Sequence, residues 1–444
     1  MISFQKGDAI TSGDKKYIVK ELLGEGGQGA VYRVTEGRKS YALKVYKKQV
    51  PSAFRDNLQN NVERGSPSSV FLWPQAIFDL GDGQIGYLMD LRPKNYVSFV
   101  SYLNGKAAFR DLSTKIRWSI ELCLAFKKLH ETGYAYQDLN DGSFFLDPDT
   151  GDLLICDNDN VSADRVPTGV LGKMRYMAPE IVRGDKDPVT KQPRMPDTHT
   201  DRFSLAVILF LAFCFGNPFE GERLKNYEFV DERAEAELFG KHPIFIYHKT
   251  DLSNRPIRGY HTAPIKYWPQ LPIYMKEAFH RTFVDGLTDR ENGRTTELEW
   301  IRLLMHYRDE ILHCYGCGKE FALGISEARK RECCPFCGIP IGNPCLLRVG
   351  KYTAVLQKDK QLFAPLFDRY SADYNTAAAV VVENQNRPGL YGIRLLNGKE
   401  VEIRDTAGAV RTIPKNGVIP IVKQLKIKFD QETEGEINTW KTEN

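Results

Sequence analysis

The chain has 444 residues, too many for one ordinary hydrophobic core, so roughly two to four domains are expected. Its 61 Lys+Arg against 57 Asp+Glu give a net charge of +4, and 42% of its residues are hydrophobic. That balance excludes a disordered chain or one dominated by nucleic-acid charge, and by itself names no partner. Of nine cysteines, six fall between Cys314 and Cys345, which argues against a disulfide framework over the whole protein and for a local metal site.

The first residues, Met1-Ile2-Ser3-Phe4-Gln5-Lys6, lack the basic start and apolar run of a signal peptide. The longest apolar stretch, Phe203 to Phe215, is too short to span a bilayer and reads as a buried helix. A cytoplasmic location without membrane association is therefore expected. Up to about residue 90 the pattern is strand-like, with runs such as Lys16-Tyr17-Ile18-Val19 and Tyr41-Ala42-Leu43-Lys44-Val45 between glycine turns. One helix interrupts it: Ser52 is the expected cap, Phe54, Leu58 and Val62 recur at intervals of four, and Gly65-Ser66-Pro67 ends it. From about Leu112 to Tyr307 helical patterns dominate, opening with Ile116, Ile120 and Leu124 on one face. The stretch Gly184 to Thr198, rich in Pro, Lys and Asp, reads as a solvated loop insertion. After Leu346, strand-like runs at Ala378 to Val382, Leu390 to Leu395 and Leu425 to Phe429 alternate with glycine turns.

Gly24-Glu25-Gly26-Gly27-Gln28-Gly29-Ala30-Val31 matches G-x-G-x-x-G-x-V between two predicted strands, where glycines let backbone amides approach phosphates. Alone it is equally a glycine-rich turn. A dinucleotide-binding fold needs a helix straight after the third glycine, but Ala30-Val31-Tyr32-Arg33-Val34 continues as strand. Fifteen residues beyond Gly29 stands Lys44, a charge in an otherwise apolar strand. It is either an edge lysine with its ammonium in water or a phosphate ligand held by a helix glutamate, for which Glu63 is the candidate. Further on, Gly133-Tyr134-Ala135-Tyr136-Gln137-Asp138-Leu139-Asn140 follows a predicted helix ending at Leu129-His130.

Here the chain resembles eukaryotic-type Ser/Thr protein kinases, over roughly residues 10 to 310. Seven landmarks recur in the family's order: the glycine loop, Lys44, the catalytic loop with Asp138, Asp157 in Ile155-Cys156-Asp157-Asn158-Asp159, Met177-Ala178-Pro179-Glu180, Asp201-Arg202-Phe203-Ser204-Leu205-Ala206, and Arg294 placed to pair with Glu180. The resemblance implies that Asp138 orients the substrate hydroxyl and that Asp157 holds magnesium or manganese against ATP. It also implies that Gly24, Gly26, Gly29, Val31, Lys44, Glu63, Asp90, Ser143, Asp157 and Asp159 line the nucleotide and metal site, with Lys44, Asp138 and Asp157 catalytic. Phosphoryl transfer is mostly positioning and charge neutralisation, so these residue types suit it. The plain alternative treats both aspartates as turn residues.

Four positions depart from the family. Gln137 replaces the arginine that docks a phosphorylated activation loop, leaving Thr168 and Ser162 as acceptors to consider. Asn140 replaces a lysine near the transferring phosphate, and Ser143 stands where the second metal-binding asparagine is expected. Asp157-Asn158-Asp159 replaces D-F-G, and Asp159 is expected to supply the metal ligand that Ser143 provides poorly. Two readings follow: an active Ser/Thr kinase acting on protein substrates, itself included, or a pseudokinase scaffold that binds nucleotide or protein without phosphoryl transfer.

Cys314-Tyr315-Gly316-Cys317 and Cys334-Pro335-Phe336-Cys337, sixteen residues apart and each followed by glycine, form a structural-zinc signature, a four-thiolate site needing no open position. So short a module could hardly bury a core without its metal. Zinc ribbons often bind nucleic acid, but a structural staple or interaction knob is the reading preferred here. The stretches 390–398 and 413–421 read as hairpins of a β-sandwich or barrel. The expected architecture is α+β: a bilobal protein-kinase-like fold (lobes 1–91 and 92–311), a zinc ribbon (312–345) and a small all-β domain (346–444). This arrangement resembles bacterial kinases of tellurite-resistance-like gene clusters, which implies a metal-dependent protein phosphatase and a von Willebrand factor A-type protein as partners in a signalling module.

Overall fold

Alternating apolar positions in the first 90 residues build a sheet. The computed structural model describes residues 3–81, 83–166, 172–328, 330–368 and 370–440. Within it β1 (Ala9–Ser12), β2 (Lys15–Glu25), β3 (Gly29–Glu36), β4 (Lys39–Tyr46), β5 (Ala76–Asp79) and β6 (Ile85–Asp90) pair antiparallel in the order β1-β2-β3-β4-β6-β5. Side chains alternate across a strand, and β4 buries both of its faces. Tyr41, Leu43 and Val45 pack with Tyr17, Val19 and Phe78 on one side. Ala42 and Tyr46 pack with Phe54, Leu58 and Tyr87 on the other, and Lys44 shares this second face by parity.

Phe54 and Leu58 belong to helix α1 (Ser52–Arg64). Ser52 is its first helical residue rather than its cap: Pro51 occupies the cap position and no side chain bonds there, because a proline before the first turn presets the chain direction without a hydroxyl. Gly65, at φ 76°, closes the helix in a conformation that L side chains rarely adopt.

The following lobe is mainly helical. It holds β7 (Val97–Ser98), α2 (Phe99–Leu103), α3 (Leu112–Glu131), β8 (Tyr134–Ala135), β9 (Phe144–Leu146), β10 (Leu153–Ile155), β11 (Ser162–Ala163), α4 (Pro179–Val182) and α5 (Thr198–Cys214). α5 is apolar around nearly its whole circumference and is buried accordingly. Asp197 caps it, accepting from His199 N and Thr200 N at 3.0 Å. The segment before it is the solvated loop expected from composition, with Val189 largely exposed and Asp187 tying its turn through Val189 N and Thr190 N at 2.9 Å. Among the described residues, no helix is long and apolar enough to cross a membrane.

The chain divides into two compact units: Met1–Phe109, Glu121–Tyr267 and Ala278–Leu298 form one, and Arg110–Ile120, Trp268–Glu277 and Glu299–Asn444 the other. In the second unit, Ile311–His313 pairs with Glu320–Ala322 in front of two antiparallel sheets. One sheet has six strands, including Cys345–Val349, Val401–Arg404 and Val410–Ile413; the other has four, including Tyr391–Leu395 and Val418–Pro420. Leu347, Ile403 and Ile427 from the first share one core with Val381, Ile393 and Ile419 from the second. The segment is not wholly strand, since Ala364–Phe367 makes one helical turn.

The two expected hairpins do not form. The turns at Asn397-Gly398 and Asn416-Gly417 pass the chain from one sheet to the other, and Tyr391–Leu395 pairs instead with Val418–Pro420 and Ala377–Glu383. The turn signal is local, whereas the choice of partner strand is set by which face must reach the shared core.

Candidate active site and metal centre

The glycine hairpin joins β2 to β3, closed by Gly26 N to Gly29 O at 2.9 Å. A Cβ at Gly24, Gly26 or Gly27 would meet nothing within 4 Å, whereas at Gly29 it would lie 2.3 Å from Val45 O. Open space above the hairpin suits a ligand, and close backbone packing accounts for the last glycine. Val31 lies partly buried beside Ala42 and Tyr46, and Asp90 ends β6 in an exposed position.

Lys44 is only 5% exposed. Its Nζ donates to Asp159 Oδ2 at 2.8 Å, to Asp157 Oδ1 at 3.2 Å and to Gln28 Oε1 at 3.5 Å. Against the burial that would lower it, Asp159 and Asp157 hold the ammonium above the usual lysine range. The Tyr46 hydroxyl also donates to Asp159 Oδ2, and burial together with the Asp159 charge pushes the Tyr46 and Tyr87 hydroxyls well above their ordinary range.

These contacts correct two expectations. Glu63 is not the partner of Lys44: it is exposed and accepts from Gln59 Nε2 at 2.9 Å, because the rotation of α1 turns it to solvent. The helix presents Asn57 and Asn61 inward, and both side-chain amides donate to Val161 O at 2.8 Å. Asp159 does not stand as a free metal ligand supplementing Ser143: its side chain is fully enclosed and Oδ2 is engaged by Lys44 and Tyr46. Asp157, at φ 55°, is the open carboxylate, with 45% of its side chain exposed.

Asp138 accepts from Asn140 Nδ2 at 3.1 Å. Burial, reinforced by the nearby Asp157 charge and opposed by the Asn140 hydrogen bond and Lys173, raises its pKa. Lys173, which sequence reasoning passed over, lies 3.1 Å from Asp141 Oδ1 and brings positive charge to a loop where Asn140 has none. Ser143 is buried, and its carbonyl accepts from Cys156 N at 2.9 Å, which sets it beside Asp157. The one open carboxylate of Asp157 suits a magnesium ion that keeps waters and phosphate oxygens as its other ligands, whereas the Ser143 hydroxyl is enclosed.

Beneath the loop the frame is charged and buried. Asp201 of α5 accepts from Tyr136 N at 2.6 Å and Gln137 N at 3.2 Å, fixing the backbone just before Asp138. His130 bridges Asp201 Oδ2 at 3.1 Å and Glu297 Oε1 at 2.9 Å. Although burial opposes it, those two carboxylates raise His130 to about 9, and although burial opposes that too, His130 and Arg202 bring Glu297 down to about 2. Arg294, 1% exposed, holds Glu180 with both terminal nitrogens, at 2.8 and 2.7 Å.

Gln137, at φ 69°, donates to Val166 O at 2.6 Å and to Ser162 Oγ, so a neutral amide fastens the start of the segment that an arginine would reach through a phosphate. Ser162 is thereby enclosed and is not an open acceptor, and Thr168 lies outside the described residues. Asn158, in the place of the family's Phe, donates to Leu72 O and Ile155 O at 2.9 Å.

In the second unit the sulfurs of Cys314, Cys317, Cys334 and Cys337 lie within 4.8 Å of one another, with Cys314–Cys337 at 3.6 Å and Cys317–Cys334 at 3.7 Å. A tetrahedron with zinc–sulfur bonds of ~2.3 Å has sulfur–sulfur edges of ~3.8 Å, so the donor set fits that ion. Gly318 and Gly338, at φ 70° and 73°, make the tight turns, each donating its N–H to the carbonyl of the first cysteine of its pair. The module does not lack a core of its own making alone: Leu312, Phe321 and Leu323 pack with Leu346, Val355 and Trp440 of the following strands.

Comparison with known proteins places this geometry. The protein kinase domain profile matches residues 87–255. Protein kinase YegI of Escherichia coli is 26% identical over 333 residues, covering 71% of this chain and 48% of that protein. The DNA damage-responsive serine/threonine-protein kinase RqkA of Deinococcus radiodurans is 27% identical over 219 residues, covering 47% and 31%. The chain thus spans less than half the length of these relatives. The kinase domain of Mycobacterium tuberculosis PknI aligns at 17% identity with a TM-score of 0.46, over 68% of this chain and 98% of that one. Residues 87–255 thus match a protein kinase domain, and the chain is similar to bacterial protein kinases, one of them a serine/threonine-protein kinase.

Proposed function

We propose that this protein is an ATP-dependent protein serine/threonine kinase that phosphorylates protein hydroxyls, its own included. The observation that carries the reading is the proximity of three groups of the right chemistry: the buried ammonium of Lys44, the open carboxylate of Asp157 and the partly buried carboxylate of Asp138. ATP would supply the phosphoryl group and magnesium or manganese the charge neutralisation. Lys44 would hold the α and β phosphates beneath the glycine hairpin, with Val31 and Asp90 toward the nucleoside. Asp157 would hold the metal. Asp138 would orient the incoming hydroxyl and take its proton, a task that its raised pKa favours. Cys314, Cys317, Cys334 and Cys337 would hold one structural zinc ion. We assign the kinase lobes to 1–91 and 92–311, the zinc ribbon to 312–345 and the strand-rich domain to 346–444.

The test is incubation of the full chain with γ-labelled ATP and Mg or Mn, beside Asp138→Ala and Lys44→Ala. Label incorporated by wild type and lost in both variants supports the reading. ATP binding without transfer under any condition favours a scaffold instead.

A further inference from the structure

In a protein kinase the strand lysine is held by a carboxylate on the helix of the same lobe. Here α1 offers none to the cleft: its two acidic residues, Asp56 and Glu63, are both exposed. Its inward amides are committed to Val161 O. A buried ammonium still requires a partner, since an unpaired charge in that environment is strongly unfavourable.

We propose that Asp159 is the positioning carboxylate of Lys44, taking over from the metal-binding segment the part that α1 does not play. This rests on the kinase reading above. The division of labour follows from exposure. Asp157 faces the cleft, where a metal would claim its oxygens, so it is an unreliable anchor for the lysine. Asp159 is fully enclosed and lies nearer to Nζ, at 2.8 Å against 3.2 Å for Asp157. Its orientation is set by β4 itself: Lys44 and Tyr46 are two residues apart, project from the same face and converge on one oxygen, Asp159 Oδ2. The backbone carrying it is pinned one residue earlier by the two hydrogen bonds of Asn158. The glycine usual at this position could supply no such group. A consequence is that the lysine clamp closes between β4 and the metal segment, so a displacement of α1 leaves it intact.

The test uses the full chain carrying Asp159→Asn, which keeps the shape and loses the charge, beside Glu63→Ala. Three readouts are taken: kcat and KM for ATP, the rate at which 5′-fluorosulfonylbenzoyl adenosine labels Lys44, and melting temperature. We expect kcat to fall by about 100-fold in Asp159→Asn with a much smaller change in KM, as for loss of one preorganised charge. The labelling rate should change in Asp159→Asn, because the amine loses the 2.8 Å contact that fixes where it points, and Glu63→Ala should match wild type throughout. Wild-type kcat and labelling in Asp159→Asn, or an equal loss in Glu63→Ala, overturns the proposal. If wild type transfers no phosphate, the kinase reading fails, while the labelling comparison still decides the role of Asp159. If Asp159→Asn folds poorly, Lys44→Met with Asp159→Asn completes a double-mutant cycle: recovery of melting temperature in the double variant supports the pair, and additive losses refute it.

Discussion

The face that carries Lys44, Asp138 and Asp157 and the charged frame beneath it match the family's landmarks to different degrees. In the frame, Asp201 caps the catalytic loop, His130 bridges Asp201 and Glu297, and Glu180 grips Arg294, the last as the family resemblance implies. On the reacting face, Gln137, Asn140, Ser143 and Asp159 all stand where another residue type is usual. The difference follows from charge pairing rather than from burial, since all four of these side chains are buried as well. A charge inside the frame is enclosed with its partner, so changing one member strands the other. On the face, a neighbour can take over a missing contact: Gln137 reaches Val166 O without a phosphate, Lys173 approaches where Asn140 is neutral, and Asp159 reaches Lys44 where α1 does not.

The largest effect that would sharpen this contrast is on catalysis. Asp138→Asn should lower phosphoryl transfer by about 1,000-fold while leaving the melting temperature near wild type, measured by label incorporation and thermal unfolding. Comparable destabilisation and loss of transfer would place Asp138 in the frame instead.

Next comes the frame itself. Arg294→Ala should cost about 3 kcal/mol by taking both close hydrogen bonds from buried Glu180 and leaving it only Arg290 at 3.4 Å, read by denaturant unfolding. Replacing both residues by apolar ones of similar volume should recover much of that loss. If Arg294→Ala is tolerated as readily as a surface change, charge pairing does not explain the agreement of the frame with the family.

The frame should also respond to pH. His130 is raised from 6.5 to about 9, so its contribution is complete below pH 6.5 and is lost as pH rises through about 9. Glu297 is lowered from 4.5 to about 2, so its contribution is complete above pH 4.5 and is lost as pH falls through about 2. The shared interaction is worth about 2 to 3 kcal/mol. Stability in wild type should decline between pH 7 and 9 more steeply than in His130→Gln, and parallel profiles would contradict the assignment.

A smaller effect is expected at Asn158. Asn158→Ala removes two buried hydrogen bonds and should cost about 1 to 3 kcal/mol, with transfer falling further than stability alone explains because Asp157 and Asp159 flank it.

Removal of metal tests the second unit by itself. Zinc content by mass spectrometry should be one ion per chain, and chelation should unfold the 312–337 region. The strands that share its core, through Leu346, Val355 and Trp440, should limit how far that unfolding spreads.

The sequence determined the elements and the ordered landmarks. Period-two alternation marks the first sheet, an unbroken apolar run marks α5, and Gly24 to Gly29, Lys44, Asp138, Asp157 and the four cysteines stand in patterns short enough to read along the chain. What tertiary structure alone decided was which distant groups meet. Glu63 and Asn61 differ by two positions on one helix, and only the rotation of α1 against β4 chose which of them turned inward. Asp159 lies 115 residues from Lys44, and nothing periodic links them. The turns at Asn397-Gly398 and Asn416-Gly417 were legible as turns but not as crossings between sheets. Local propensity acts over a few residues; pairing at a distance is settled by packing, which leaves one partner able to satisfy a buried charge or complete a shared core.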